Sequence, residues 1–345
     1  MMPSSPAIRI RGGYPRQAAP GRLCRSGIAT RPRGLVAVLG GLLLWTVGAG
    51  CGGGQRQAAT SEGIRYTAVA EGEVWLRHSS IQIRFDRELY CSVFLRQDGR
   101  LLALSHNPPD PTLAKPSHFI AVEGQEVLDF YVDYRNIGLS EVRGRFGLGK
   151  RLKITGLGET EENILIEKTM VVELFEAYPD IAMIWAVYRN PDLERPIRIT
   201  GITNQFFRMD ASLTDPQAPR HALQCFLLDQ PVHGEAGAPL LDLGFARTVT
   251  TASPGFARVA LWNSVMGMTV AGRPPESGTL TIPVETARDR RVEVSFRYDL
   301  DRILEPEEEL VCPKGFVMVY TGDFRSGLAR EKAMMGGGGQ ADALR

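Results

Sequence analysis

The sequence predicts an all-β protein: a large antiparallel β-sandwich followed by one short C-terminal helix. Three observations predict it. Apolar and polar residues alternate in run after run, as with Val292, Val294, Phe296 and Tyr298 in RVEVSFRY, which is the period of a strand with one dry face and one wet face. Turn residues return about every eight to twelve positions, the spacing of stacked antiparallel sheets. Only one convincing helix start is present, Asp323 before Phe324, where a carboxylate can cap free backbone N–H groups.

Taken in order, IQIRFD alternates Ile81, Ile83 and Phe85 with polar partners, and CSVFLRQDGRLLALSH reads as a hairpin turning at Gln97-Asp98-Gly99. VLDFYVDY and RLKITGL are the next strands. The strongest pair spans Ile164 to Phe175 and Ile181 to Tyr188, with Tyr178-Pro179-Asp180 as its expected turn. The second half repeats the style in IRITGITNQFF, ARVALWNSVMGMTVAG, TLTIPVE, RRVEVSFRYDL and GFVMVYTG. A buried strand from Phe316 to Tyr320 then meets Thr321-Gly322 and the terminal helix, whose apolar positions are Phe324, Leu328 and Met335.

The formal net charge is +1, so no global field argues for a nucleic-acid partner. Arg9, Arg11, Arg16, Arg22, Arg25, Arg31 and Arg33 precede any acid. A glycine-containing apolar run from Gly34 to Gly50 follows, and then Cys51. Charged, apolar and small-residue segments in this order are the parts of a secretory signal. Gly48-Ala49-Gly50-Cys51 resembles a bacterial lipobox, with Gly48 where leucine is usual, so Cys51 is the expected lipidated N-terminus. The chain is then expected to be exported and held at the membrane by a lipid anchor, periplasmic or at the cell surface. A single membrane-spanning anchor is the alternative, and the run is short for one. The expected organisation is a leader over 1–51, a flexible tether over 52–65, the sandwich over 66–322, and an interdomain helix with a glycine-rich tail over 323–345. Cys91, Cys225 and Cys312 are too few and too far apart for a disulfide framework, and read as buried free thiols.

Several constellations were weighed for chemistry. GRFGLGK places Gly144, Gly149 and Lys150 as in a phosphate loop, but Arg151 stands where a hydroxyl is needed and a strand follows instead of a helix. It reads as a hairpin turn. His78, His106, His118, His221 and His233 have no ligand spacing, so no metal site is expected. No cofactor is implied. No serine sits in a nucleophile elbow. Asp299 and Asp301 read as a solvated strand end, and Glu305 to Glu309 as an exposed loop. Among tryptophans, Trp185 reads as core, while Trp262 reads equally as core or as a sugar-stacking platform.

FGLGKRLKITG, IEKTMVVELFEAYPDIAMIWAVYRNP, ITNQFF, LWNSVMGMTVAGR and GFVMVYTGDFRSGLA together resemble, in this order, the N-terminal β-supersandwich of α-galactosidase-like enzymes of glycoside hydrolase family 36. The similarity runs from about Tyr66 to Met335. It implies that the strand ending VYTGD and its helix lead into a (β/α)8 barrel carrying two catalytic aspartates, a nucleophile and an acid/base. No position of this chain matches those motifs, so no catalytic residue carries over. The resemblance also implies a carbohydrate contact near the loop before Trp262, and Trp262 with Asn263 is the candidate.

The expectation is therefore a non-catalytic sandwich of an α-galactosidase-like enzyme of carbohydrate degradation, ending before its barrel. The tail GGGGQADALR cannot continue a helix, since each glycine costs about 1 kcal/mol against alanine, and reads as a frameshift or premature stop. The rival readings are a stand-alone carbohydrate-binding or scaffold lipoprotein of the cell envelope, and half of a split enzyme whose barrel is a separate chain. Galactoside-type carbohydrate, a barrel and further copies of the chain are the expected partners. A sandwich face bared by the missing barrel is expected to be apolar and exposed.

Overall fold

A computed structural model of the protein describes residues 63–68, 72–105, 115–227, 230–231, 240–276 and 278–336. The leader, Cys51, His106, His233 and the tail beyond Gly336 lie outside the described residues. The first strands are β1 (Arg65–Ala68), β2 (Val74–Arg77), β3 (Ile81–Phe85), β4 (Cys91–Gln97), β5 (Arg100–Ser105), β6 (Phe119–Val122) and β7 (Gln125–Val127). Five long strands follow: β8 (Tyr131–Gly144), β9 (Gly147–Glu159), β10 (Leu165–Phe175), β11 (Tyr178–Arg189) and β12 (Ile197–Met209). Next come β13 (Gln224–Leu227), β14 (Gln230–Pro231), β15 (Ala246–Thr251), β16 (Ala257–Trp262) and β17 (Met266–Gly272). The last are β18 (Leu280–Thr286), β19 (Val292–Leu304), β20 (Glu309–Val311) and β21 (Gly315–Thr321), with helix α1 (Phe324–Gly336).

Two antiparallel sheets result, as the alternation predicts. The first has 11 strands in the order β1-β2-β3-β4-β5-β12-β19-β18-β15, with β6 and β7 attached beside β12. The second has 10 strands in the order β14-β13-β16-β17-β21-β11-β10-β9-β8, with β20 beside β11. The sheets pack face to face over one core. Ile81, Ile83, Phe85, Phe207 and Phe296 enter it from the first sheet, and Ile154, Val172, Ile184, Val259 and Val319 from the second. Burial of this apolar area at about 25 cal/mol per Å² is the main favourable term for the fold.

The second sheet is apolar on its other face too. Along β11, Ala182, Ile184, Ala186 and Tyr188 belong to the inter-sheet core, while Ile181, Met183 and Trp185 belong to a separate cluster. In β21 Val317 and Val319 point inward, and Phe316, Met318 and Tyr320 point outward. The expectation of an apolar face holds, but that of an exposed one does not. Val171, Met183 and Trp185 are 2%, 2% and 6% exposed. The reason is local: α1 turns back over β16, β17 and β21, and Phe146, Tyr178 and Phe256 add their rings to the same cluster.

Local expectations divide. Asp98 and Gly99 both have positive φ, 50° and 75°, which makes the expected tight hairpin turn between β4 and β5. GRFGLGK is the β8–β9 hairpin, with Gly144 opposite Gly147. Cys91, Cys225 and Cys312 are free and buried, and Asp301 pairs with Arg198 at the end of a strand. The β10–β11 turn is not Tyr178-Pro179-Asp180. Phe175 pairs with Tyr178 and Leu174 with Ala182, so Glu176-Ala177 is the turn and Pro179 lies in a bulge. A bulge tolerates proline because the extra residues leave the hydrogen-bond ladder. VLDFYVDY is two strands, broken after Val127 so that Phe130 can enter the core against Tyr188 at 6.0 Å. The Glu305–Glu309 loop is more than exposed acid: Glu307 pairs with Arg189 and Glu308 with Arg302. A single 3-10 turn, Ala211–Leu213, was not expected; Asp210 caps it through the Ser212 amide.

Candidate functional site

The β16–β17 hairpin ends in Trp262-Asn263-Ser264-Val265, and Asn263 builds its turn. Its Oδ1 accepts from the amides of Val265 at 2.9 Å and Met266 at 3.0 Å, and its Nδ2 donates to Thr214 Oγ1 at 2.7 Å. An asparagine side chain that replaces a backbone partner fixes such a turn. The chain returns to this spot after β21. Gly322, with φ of 75°, donates its amide to Val265 O at 3.3 Å, and Asp323 accepts from the Arg325 amide at 3.1 Å. Trp262, Asn263, Ser264, Gly322 and Asp323 wall an open cleft of about 460 Å³, which Asp215 and Gln224 also line.

Both predicted contact residues, Trp262 and Asn263, therefore stand on one cleft. Their roles in it differ. Trp262 is 4% exposed, and the Phe324 ring tilts against it at 5.0 Å. Phe324 in turn stacks on Phe226 at 4.5 Å. A sugar platform needs an open ring face, and this indole gives most of its surface to aromatic packing. Asn263 uses its amide on the turn and on Thr214. Trp185 is core, as expected, but core of the outer cluster, with Lys314 Nζ 4.8 Å from its ring.

The outer cluster and α1 form the larger feature. Gly327, Glu331 and Met334 are the buried positions of the helix, with Phe324, Leu328 and Met335 half-buried beside them. Tyr320 dictates the glycine: a Cβ on Gly327 would stand 2.6 Å from its ring, and one on Gly267 in β17 would stand 2.1 Å from it. The phenol is thus clamped between sheet and helix, accepting a hydrogen bond from Thr269 Oγ1 at 3.3 Å. Polar ties complete the docking. Glu331 pairs with Arg258 at 3.0 Å, Arg330 with Asp180, and Arg145 Nη2 donates to Met335 O at 2.8 Å. Glu331 and Gly327 were missed by sequence reasoning, although both fall on the helical stripe that starts at Phe324.

A second group of polar side chains lies between the sheets. Lys168 is wholly buried; its Nζ donates to His118 O at 2.6 Å and sits 4.6 Å from the Phe130 ring. Burial, which disfavours the charged form, lowers its pKa from 10.5 to about 7. Burial and then the neighbouring Lys168 charge hold His118 well below the ordinary histidine value, so it is neutral. Burial likewise pushes the Cys91 and Cys312 thiols up to about 12. Tyr188 Oη is buried there without a protein partner, and Tyr298 lies beside Asn204. Thiols so protonated are poor nucleophiles, and the group reads as a structural network. Among the described residues no cluster of histidine, cysteine or carboxylate side chains has the makings of a metal site, and no helix is long and apolar enough to cross a membrane.

No family model and no curated protein matches the sequence. Solved structures do. The galactosidase domain of an α-galactosidase–sucrose kinase, AgaSK, superposes with a TM-score of 0.52 at 11% identity, over 79% of this chain and 44% of that one. The α-galactosidase AgaB of family GH36 from Geobacillus stearothermophilus gives 0.48 at 14% identity, over 76% and 41%. This chain spans less than half the length of either, and the likeness to the first shows that the two share the sandwich fold.

Proposed function

We propose that this chain is the non-catalytic sandwich of an α-galactosidase-like glycoside hydrolase, and that the outer face of its second sheet, with α1, seats a (β/α)8 barrel. The observation that carries the reading is the two-faced second sheet. A sheet needs apolar residues on both faces only when both are covered, and the chain passes from β21 straight into a helix lying on the outer one. The fold shared with the galactosidase domain supports it. In this reading the barrel supplies both catalytic carboxylates, which must stand about 5–5.5 Å apart in a retaining enzyme, and the sandwich supplies none. Lipidation at Cys51 would hold the assembly at the membrane outside the cytoplasm, with degradation of galactoside-type carbohydrate as its task.

The full chain is expected to leave a chromogenic α-galactoside intact by itself, and to bind and activate a galactosidase-type barrel supplied without its own sandwich. Hydrolysis by the chain alone contradicts the non-catalytic role. The cleft at Trp262 and Asn263 favours a second reading, a stand-alone carbohydrate-binding or scaffold lipoprotein. Saturable galactoside binding that Asn263→Ala removes, with no complex formed on the barrel, would select it.

A further inference from the structure

The β18–β19 hairpin tip reads Ala287-Arg288-Asp289-Arg290-Arg291, and its charges are arranged rather than scattered. Asp289 Oδ2 receives Arg291 Nη1 at 3.0 Å and Arg208 Nη2 at 2.9 Å. Both arginines are buried, 6% and 8% exposed. Arg291 also reaches Asp210 at 3.2 Å, and Arg208 reaches Glu293 at 2.8 Å. The Asp289 charge is thus taken up from behind the tip, and it leaves the two flanking arginines uncompensated. Arg288 and Arg290 are exposed and have no acidic partner among the described residues. Across from them, Arg220 lies on the rim of the same space, 47% exposed, tied by Nη1 to Asp289 O at 3.4 Å and 3.6 Å from Asp210.

The backbone adds an independent observation. Arg290 donates to Ala287 O at 2.9 Å with φ of 69°, in the left-handed region. A short hairpin loop usually places glycine or asparagine at such a position, because a longer side chain is strained there. The same turn sets the exposed Arg290 beside Arg288 on one cleft.

We propose that Arg220, Arg288 and Arg290 form a binding site for a tetrahedral oxyanion, a phosphate or sulfate group. They open on a cleft of about 470 Å³ whose other walls are Ser212, Ala218, Pro219 and Asp289, the last with its carboxylate already held by Arg208 and Arg291. Five arginines stand here against three acids (Asp210, Asp289 and Glu293), so two positive charges remain for a ligand. Three arginines on one cleft suit a ligand with three or more acceptor oxygens. Phosphate and sulfate present these, whereas a carboxylate has two. The cleft is wide enough for the group to arrive as an ester of a small molecule. This site is separate from the barrel seat and does not depend on it.

The test is calorimetric titration of the full chain at low salt with inorganic phosphate, inorganic sulfate and a sugar phosphate. Saturable binding is expected, weakened about tenfold or more in Arg288→Ala/Arg290→Ala and falling steeply with added salt. Tighter binding of the sugar phosphate than of the free ions identifies an ester as the ligand; equal binding identifies the free anion. Arg290→Gly guards against loss by misfolding: it relieves the backbone strain, so its melting temperature should rise while its affinity drops. The proposal is overturned if wild type shows no saturable binding, or if the arginine variants bind as wild type does.

Discussion

The two faces of the second sheet are both dry, yet they are built differently. The inner face is mostly aliphatic, Ile154, Val172, Ile184, Val259 and Val319, and it meets another sheet along its length. The outer face is aromatic, with Phe175, Trp185, Trp262, Phe316 and Tyr320. It meets a single helix of 13 residues, pinned by arginine. Branched aliphatic chains with few rotamers suit a permanent interior. Aromatic side chains under a short helix resemble the core of an interface, where such residues are enriched. The difference is that one face meets a whole sheet and the other a single helix, and the proposed barrel seat rests on the second.

The largest expected effect lies in the core that the inner face shares with the first sheet. Phe296→Ala removes a fully buried ring from the inter-sheet core and should cost about 3–5 kcal/mol, read as a lower urea midpoint. A loss below about 1 kcal/mol would mean that this core is not continuous. Next comes Lys168→Met. Lys168 has an ordinary pKa of 10.5 and a folded one of about 7, lowered by burial. Between about pH 7 and about 10.5 the unfolded chain therefore holds a proton the folded chain lacks, so this lysine makes stability rise with pH across that window. The buried thiols act in the opposite sense at the upper end, so the difference between variant and wild type is the quantity to follow. Lys168→Met should be more stable by about 1–4 kcal/mol near neutral pH, with the advantage shrinking as pH rises toward 10. A constant advantage would contradict a neutral buried lysine. Smaller still is Glu331→Ala in α1, expected to cost about 1–3 kcal/mol by removing the Arg258–Glu331 pair that docks the helix. It should loosen α1 without shifting the amide protection of the inner strands.

What was legible in the sequence follows from range. Alternation in RVEVSFRY is local, and it placed Val292, Val294 and Phe296 on the core side. The unbroken run IAMIWAVY is the mark of a strand covered on both faces, and Trp185 was duly read as packed. Lys168 could have been found: it shares its parity with Ile166, Met170 and Val172, all inward. The turn misplaced onto Tyr178-Pro179-Asp180 shows propensity losing to register, since proline marks bulges as readily as turns. Gly327 and Glu331 lie on the helical stripe from Phe324, but a glycine and a carboxylate give that stripe no apolar signal, and what buries them is Tyr320 and Arg258. For Trp262 and Asn263 the sequence indicated the place, while the burial of the indole came from Phe324, met only when the chain returns after β21.

The most direct test of the outer face as a seat is hydrogen–deuterium exchange on the full chain, with and without a galactosidase-type barrel. Alone, amides of Phe324–Gly336 should exchange through local opening, well ahead of those in β11 and β21. With the barrel present, α1 and the outer rim of the second sheet should gain protection. Exchange of α1 only through global unfolding, unchanged by the barrel, would contradict the account.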